Sequence, residues 1–220
     1  MQPALKNDRV NRSNMKSATK HADGLKSFTK RLLKNYDPKP RPSYEPIPAL
    51  VRGVFGYDVP DSRVDDAMRI IDEQFVDLNE VRVATELELE EIIGPRYPGI
   101  ERRCSMAVSA MMHIYEREHV LNLNRLKELG KREARQFLRD LPGLHPFAEA
   151  FTMLHSFDGH AFPLDETMLF RLRDEEIIDG DMPLEEAQRF VEHYLKADEV
   201  YEVFSVLRQC VHDTSHKRRK

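Results

Sequence analysis

The spacing of apolar residues along the chain predicts α-helices almost throughout. After Pro60, for example, Val64, Met68, Ile71 and Phe75 follow one another at intervals of four, three and four, which places them on one face of a helix. No segment alternates apolar and polar residues over a length that would indicate a strand. We therefore expect an all-α fold.

The same periodicity, with Gly and Pro marking the ends, predicts further helices along the chain. They cover residues 77–84, 85–93, 100–118, 132–141, 147–155, 165–172, 183–195 and 200–211. Within the third of these, residues 106–114 are apolar almost all round, so we expect this helix to be the central buried one.

A tight turn, Leu141-Pro142-Gly143-Leu144, joins two of the predicted helices. Its glycine would let the backbone come close to a ligand, and the amides at the start of the next helix can hold a phosphate oxygen. Such a turn can position a protein on nucleic acid without reading its sequence. Ordinary helical bundles also contain such turns, so the turn alone does not identify a function.

An aspartate follows this turn at a defined distance. Asp165 stands eighteen positions after Phe147 and opens the segment Asp-Glu-Thr-Met-Leu-Phe-Arg at residues 165–171. Aspartate is a common N-cap, and a cap alone would explain its presence. A cap carboxylate can also take part in chemistry, so both interpretations stay open.

Together, residues 137–148 and 156–171 resemble the helix-hairpin-helix and catalytic segment of the endonuclease III superfamily of DNA glycosylases. In that superfamily the hairpin reads Leu-Pro-Gly-hydrophobic-Gly, and the aspartate opens a helix in a Val-Asp-Thr-His-hydrophobic-aromatic-Arg pattern. The resemblance covers roughly residues 25–195 and implies two helical lobes. The first lobe is expected to be a helical barrel at 46–158 that ends in the hairpin, and the second lobe to combine 21–45 with 159–215. We also expect a basic disordered arm at 1–20 and a basic tail at 216–220.

The resemblance also implies a function in DNA base-excision repair. We expect a monofunctional DNA N-glycosylase that removes a damaged or mismatched base from double-stranded DNA, as a monomer and without a cofactor or metal ion. Asp165 would be the catalytic carboxylate. Glu166 is the alternative, because counting back from Phe170-Arg171 places it at the acid position. The DNA-binding residues would be Gly143, Leu144, His145, Lys131 and Arg132, and the base pocket would include Phe147 and Tyr57.

The sequence departs from the family pattern at three points, of which the first two favour a competing hypothesis. Phe147 stands where bifunctional members carry a lysine that forms a Schiff base with the sugar, so strand cleavage is not expected. His145, followed by Pro146, replaces the second hairpin glycine, which weakens phosphate binding. The two cysteines, Cys104 and Cys210, cannot supply a four-cysteine iron–sulfur loop. The alternative is a non-catalytic DNA-binding or protein-interaction module that retains the fold.

Charge is distributed unevenly along the 220 residues. Residues 1–42 carry eleven Lys or Arg and three Asp, and the last four residues are all basic, whereas residues 43–216 sum to −16. Basic ends can bind phosphate chains or simply keep the protein in solution, and the acidic remainder argues against DNA binding. No apolar stretch approaches the ~18 residues of a membrane span, so we expect a cytoplasmic, nucleoid-associated protein that does not bind membranes.

Overall fold

A computed structural model gives the structure of the chain and describes the backbone of residues 5–213 and the side chains of residues 19–213. The described residues form eleven α-helices and no strand, which confirms the all-α prediction. The helices are α1 Leu5–Asn35, α2 Pro46–Gly56, α3 Asp61–Gln74, α4 Leu78–Val83, α5 Glu86–Ile93, α6 Ile100–Glu118, α7 Lys131–Arg139, α8 Pro146–Ser156, α9 Glu166–Asp174, α10 Leu184–Tyr194 and α11 Val200–His212. A short 3-10 helix, Asn124–Lys127, precedes α7. Within the described part of the chain, no helix has both the length and the apolar character needed to cross a bilayer.

The chain divides into two compact units. Unit 1 comprises Met1–Lys39 and Glu166–Lys220, and unit 2 is the continuous segment Pro40–Asp165. Unit 1 therefore contains α1 and α9–α11, and unit 2 contains α2–α8. The sequence-based boundaries, 45/46 and 158/159, lie several residues away from these.

Contacts of the connecting segments explain why the boundaries differ. The segment before α2 bonds to the end of α8, since the Pro42 carbonyl lies 3.1 Å from the His155 ring. The segment after α8 folds back on the same helix, where the Gly159 amide donates to the Met153 carbonyl at 2.9 Å. Ala161 is part of the apolar core of unit 2. Residues 40–45 and 159–165 thus belong to unit 2.

The central helices of unit 2 are α2 and α8. Nine of the eleven residues of α2 and eight of the eleven residues of α8 are buried. Gly53 makes their close packing possible, because a Cβ at this position would lie 2.8 Å from the Ala148 Cα. Residues 106–114 of α6 also belong to this core, since five of these nine residues are buried and none is exposed.

Capping side chains set the limits of the short helices α4 and α5. The Asp77 carboxylate accepts hydrogen bonds from the amides of Asn79 and Glu80, which starts α4. The Thr85 hydroxyl accepts from the Glu88 amide and starts α5. Because these caps are encoded locally, both helices lie where the sequence predicts them.

In unit 1, helix α1 packs through one apolar face. Leu25, Phe28 and Leu32 of this face are each at most 3% exposed. Helix α1 includes residues 5–20, the greater part of the segment for which a basic disordered arm is predicted. Residues 1–4 and the predicted basic tail at 216–220 lie outside the described residues.

Candidate functional site

The turn between α7 and α8 is anchored on one side and open on the other. Leu141 is buried, whereas Pro142 and Gly143 are exposed. Gly143 adopts a φ of 74°, which is in the left-handed region that favours glycine. No atom lies within 4 Å of the place where a Cβ would stand on it. The backbone of Gly143 is therefore accessible to a ligand, while Leu144 beside it is half-buried.

His145 caps the N-terminus of α8. Its Nδ1 accepts a hydrogen bond from the Ala148 amide at 3.1 Å, so the ring proton is on Nε2 and the ring is neutral. Burial lowers the pKa of His145 to about 4, and the positive charge of Arg103 acts in the same direction. Nδ1 thus has no proton to donate to a phosphate, and the Ala148 amide already has a partner.

A buried carboxylate joins the two helices of the hairpin. Glu149 of α8 accepts from Arg135 at 2.6 Å and lies 3.4 Å from Arg139, both on α7. Burial raises the pKa of Glu149, and the two guanidinium groups oppose that change. Arg135 thus stabilises the hairpin from within, whereas Arg139 pairs with the same carboxylate from an exposed position.

The cations predicted at the start of α7 differ in their surroundings. The Lys131 ammonium donates to the Asp158 carbonyl. Arg132 is exposed and makes no ion pair with any residue that the structure describes. Arg132 is therefore the predicted DNA-binding cation that is available next to the hairpin.

The two candidate catalytic acids lie in different environments. Asp165 is completely buried, and its Oδ2 accepts from the Asp58 amide at 3.3 Å. Asp58 adopts a φ of 54°, in the left-handed region, two residues after the end of α2. Glu166, the first residue of α9, is exposed. Asp165 is thus the acid that is enclosed by protein and held by a main-chain donor.

An aromatic cluster connects the end of α2 with α8. The centroid of the Tyr57 ring lies 4.8 Å from that of the His145 ring and 5.8 Å from that of the Phe147 ring, which it meets edge-on. Phe151 stacks on the other side of Phe147 at 6.1 Å. Phe147 is completely buried. The structure therefore brings the two predicted pocket residues, Tyr57 and Phe147, into contact.

No family model and no curated protein matches this chain. Solved structures do match it. Endonuclease III, trapped in a covalent intermediate with DNA, has a TM-score of 0.68 and 12% identity over 86% of this chain and 84% of that chain. The Clostridium acetobutylicum 8-oxoguanine glycosylase/lyase in complex with duplex DNA has a TM-score of 0.68 and 16% identity over 87% of this chain and 69% of that chain. The 3-methyladenine DNA glycosylase of H. pylori, bound to 1,N6-ethenoadenine, has a TM-score of 0.63 and 14% identity over 92% of this chain and 99% of that chain.

The chain has the fold of the endonuclease III-like DNA glycosylases. The fold implied by residues 137–148 and 156–171 is thereby confirmed. At these low identities the likeness shows the fold alone.

One residue of this glycosylase fold is not predicted from the sequence. Arg103 of α6 donates to the carbonyls of Val54, Phe55 and Tyr57 at 2.7, 3.0 and 2.6 Å. The Tyr97 hydroxyl also donates to the Phe55 carbonyl, at 2.9 Å. These donors satisfy the last carbonyls of α2, which have no partner within the helix. Arg103 therefore fixes the path of the chain just before the amide that binds Asp165.

Proposed function

We propose that this protein is a DNA N-glycosylase of base-excision repair that removes a damaged or mismatched base and leaves the strand intact. The observation that carries the proposal is the buried carboxylate of Asp165, held by the Asp58 amide in a chain with the glycosylase fold. We expect the protein to act as a monomer on duplex DNA at the nucleoid.

The chemistry of base removal requires a carboxylate of this kind. Breaking an N-glycosidic bond builds positive charge on the sugar, which a carboxylate beneath it stabilises, and the same group can orient or deprotonate the attacking water. The Asp58 amide donates to Oδ2 of Asp165 and holds this carboxyl group in place. Asp165 can therefore serve as the catalytic residue, whereas Glu166 is exposed to solvent.

The identity of Phe147 argues for a single activity. A lyase needs an amine that attacks the sugar and forms a Schiff base, and the Phe147 side chain has no nucleophile. Its ring instead packs against Tyr57 and Phe151. The expected product is therefore an abasic site in an uncut strand.

We further propose that the open side of the hairpin holds the DNA backbone. The accessible main chain at Gly143 and the cation of Arg132 would meet phosphate oxygens there. Leu144 lies beside them, but its amide donates to the Leu141 carbonyl at 3.3 Å. Because His145 occupies the Ala148 amide, fewer donors remain than in a hairpin with two glycines. We expect correspondingly weak anchoring at this point.

The complete burial of the candidate catalytic residue and of the pocket phenylalanine favours a second candidate function. Both Asp165 and Phe147 have no solvent-exposed surface, so a flipped base could reach the carboxylate only after a rearrangement. A module that keeps the fold and binds DNA or another protein without chemistry would need no such access.

A cleavage panel distinguishes the two functions. Duplexes with uracil, oxidised, alkylated or mismatched bases would be incubated with the protein, and alkali would then convert abasic sites into strand breaks. The glycosylase proposal expects alkali-dependent breaks for one class of lesion. Replacing Asp165 with Asn should reduce the rate by about 100-fold or more.

The matched control is Glu166→Gln, which removes a neighbouring carboxylate from an exposed position. It should retain the rate of the parent protein. The opposite result, with Asp165→Asn active and Glu166→Gln inactive, would move the catalytic role to Glu166. No product from any lesion would favour the non-catalytic module.

A further inference from the structure

Helix α1 of unit 1 presents a row of lysines to solvent. Lys20, Lys26, Lys30 and Lys34 are all exposed. At 100° per residue their spacings of six, four and four residues place them within about 120° of the helix circumference. The apolar face of the same helix is at most 7% exposed and comprises Ala22, Leu25, Phe28 and Leu32. The helix is thus apolar towards unit 1 and cationic towards solvent.

The charges on this face are not neutralised by the rest of the described chain. None of the four lysines makes an ion pair or a hydrogen bond through its side chain with another described residue. Arg31, in contrast, pairs with Glu175. Asp23, the one acid among residues 19–35, lies on the same face, which therefore carries four lysines and one aspartate. Since residues 43–216 sum to −16, a row of unpaired lysines here is a local departure from the charge of most of the chain.

We propose that this lysine face, formed by Lys20, Lys26, Lys30 and Lys34, binds the phosphate backbone of duplex DNA as a second contact surface besides the hairpin. The proposal rests on the proposed function, which makes duplex DNA the substrate. From Lys20 to Lys34 the helix rises by about 21 Å at ~1.5 Å per residue. At roughly 3.4 Å per base pair this matches about six base pairs of duplex. Lysine ammonium groups bind phosphates as point charges and do not select a base sequence.

The burial of the apolar face argues against a membrane as the partner of α1. A helix that lies on a bilayer inserts its apolar side among the lipids. In this protein Leu25, Phe28 and Leu32 are enclosed within unit 1 and cannot enter a bilayer while the unit is folded. The lysines alone remain available, and a row of charges fits a phosphate chain.

The salt dependence of binding to an undamaged duplex tests the proposal. Each lost phosphate contact should reduce the slope of log K against log salt concentration by about 0.9. Lys26→Gln with Lys30→Gln should therefore reduce it by about 1.8, and replacing all four lysines by about 3.6. Lys26→Arg with Lys30→Arg should retain the slope of the parent, because the charge is kept.

The matched control is Lys127→Gln with Lys196→Gln, which removes two exposed lysines that pair with Glu45 and Glu199. It changes the net charge equally and should leave the slope close to that of the parent. If this control and Lys26→Gln with Lys30→Gln have equal slopes, the proposal is overturned, because the change in net charge alone would then explain the reduced slope. Far-UV circular dichroism would verify that all variants fold like the parent.

Two further measurements, vesicle binding and base excision, distinguish a failure of this proposal from a failure of the proposed function. If the lysine variant loses binding to phosphatidylserine vesicles and keeps its duplex slope, the face binds membranes and the proposal is wrong. Excision in the lesion panel reports on the proposed function independently, since the slope is measured on undamaged DNA. If the lysine variants have a reduced slope and the parent protein excises no base, the lysine contact is supported and the glycosylase activity is rejected. If the parent protein excises a base and the lysine variants keep its slope, the glycosylase activity is supported and the lysine contact is rejected.

Discussion

His145 links the stability of the hairpin to pH. Its pKa is about 4 in the folded chain, compared with about 6.5 in an unfolded one. Between these values the unfolded chain binds a proton that the folded chain does not bind. The contribution of His145 is therefore complete above pH ~6.5 and is lost as the pH falls towards ~4, by up to about 3 kcal/mol.

Urea unfolding near neutrality and at about pH 4 tests this prediction. In His145→Asn the cap is kept, because asparagine is a good N-cap, but the titrating group is removed. The free energy of unfolding should then decrease less on acidification than it does in the parent. An identical decrease in both proteins would show that His145 does not cause the pH dependence.

At the scale of single residues, the sequence predicts those whose signal lies in a motif. Asp165 and Phe147 become candidates through their positions relative to the hairpin, and Tyr57 through a loose alignment of residues 52–58 with the family's wedge segment. Arg103 cannot be identified in this way, because its partners are the main-chain carbonyls of Val54, Phe55 and Tyr57. Every residue has a main-chain carbonyl, so the sequence does not indicate which ones accept a hydrogen bond. The neutral state of His145 is likewise hidden, since it depends on burial by residues distant in sequence.

At the scale of elements, the periodicity predicts neither α1 nor α2, and the reason is clearest for α2. Pro46 and Pro48 stand at its start, where a missing amide costs no helical hydrogen bond, and Gly53 and Gly56 stand in its second half. Because the helix is buried nearly all round, it shows no amphipathic pattern either. Its place in the fold follows from packing against α8, which a local pattern cannot reveal.

Substitution of Gly53 by Ala tests the close contact between α2 and α8. The added Cβ would lie 2.8 Å from the Ala148 Cα, and main-chain atoms there cannot move aside without shifting a helix. We expect a loss of about 1–3 kcal/mol in the free energy of unfolding, although alanine normally favours a helix by about 1 kcal/mol over glycine.

The matched control for Gly53→Ala is Gly24→Ala in α1. There no atom lies within 4 Å of the new Cβ, so the intrinsic preference should dominate and stabilise the protein by about 0.5–1 kcal/mol. Urea unfolding would measure both. Stabilisation by both substitutions would mean that the two central helices are not packed as closely as described.

At the scale of the whole molecule, the sequence predicts two lobes but not where the chain passes from one to the other. The resemblance places the changes at 45/46 and 158/159, and the structure places them at 39/40 and 165/166. The difference arises from single hydrogen bonds in segments without secondary structure. Ser156, for example, donates to the Tyr44 carbonyl at 2.9 Å.

Unit 2 should fold as a separate fragment. The residues of its hydrophobic cluster all lie between Ile47 and Ala161, so a chain of residues 40–165 contains a complete core of its own. We expect this fragment to be helical and to unfold cooperatively in urea, as followed by far-UV circular dichroism. A fluctuating state without a cooperative transition would contradict the division into units.

The matched control is the fragment 46–158, which ends at the boundaries drawn from the sequence. It lacks Ala161 of the core and the segment that bonds to His155 and Ser156. We expect it to unfold at a lower urea concentration than residues 40–165. Equal midpoints for the two fragments would favour the sequence-based boundaries.

The hydrogen bond between the Asp58 amide and Asp165 joins positions 107 residues apart. During synthesis α2 and the hairpin leave the ribosome well before Asp165, and the loop can close only when the last residue of unit 2 has emerged. A nascent or truncated chain that ends before residue 165 would therefore contain the hairpin but lack the proposed catalytic carboxylate. Under the proposed function, such a chain would not remove a base.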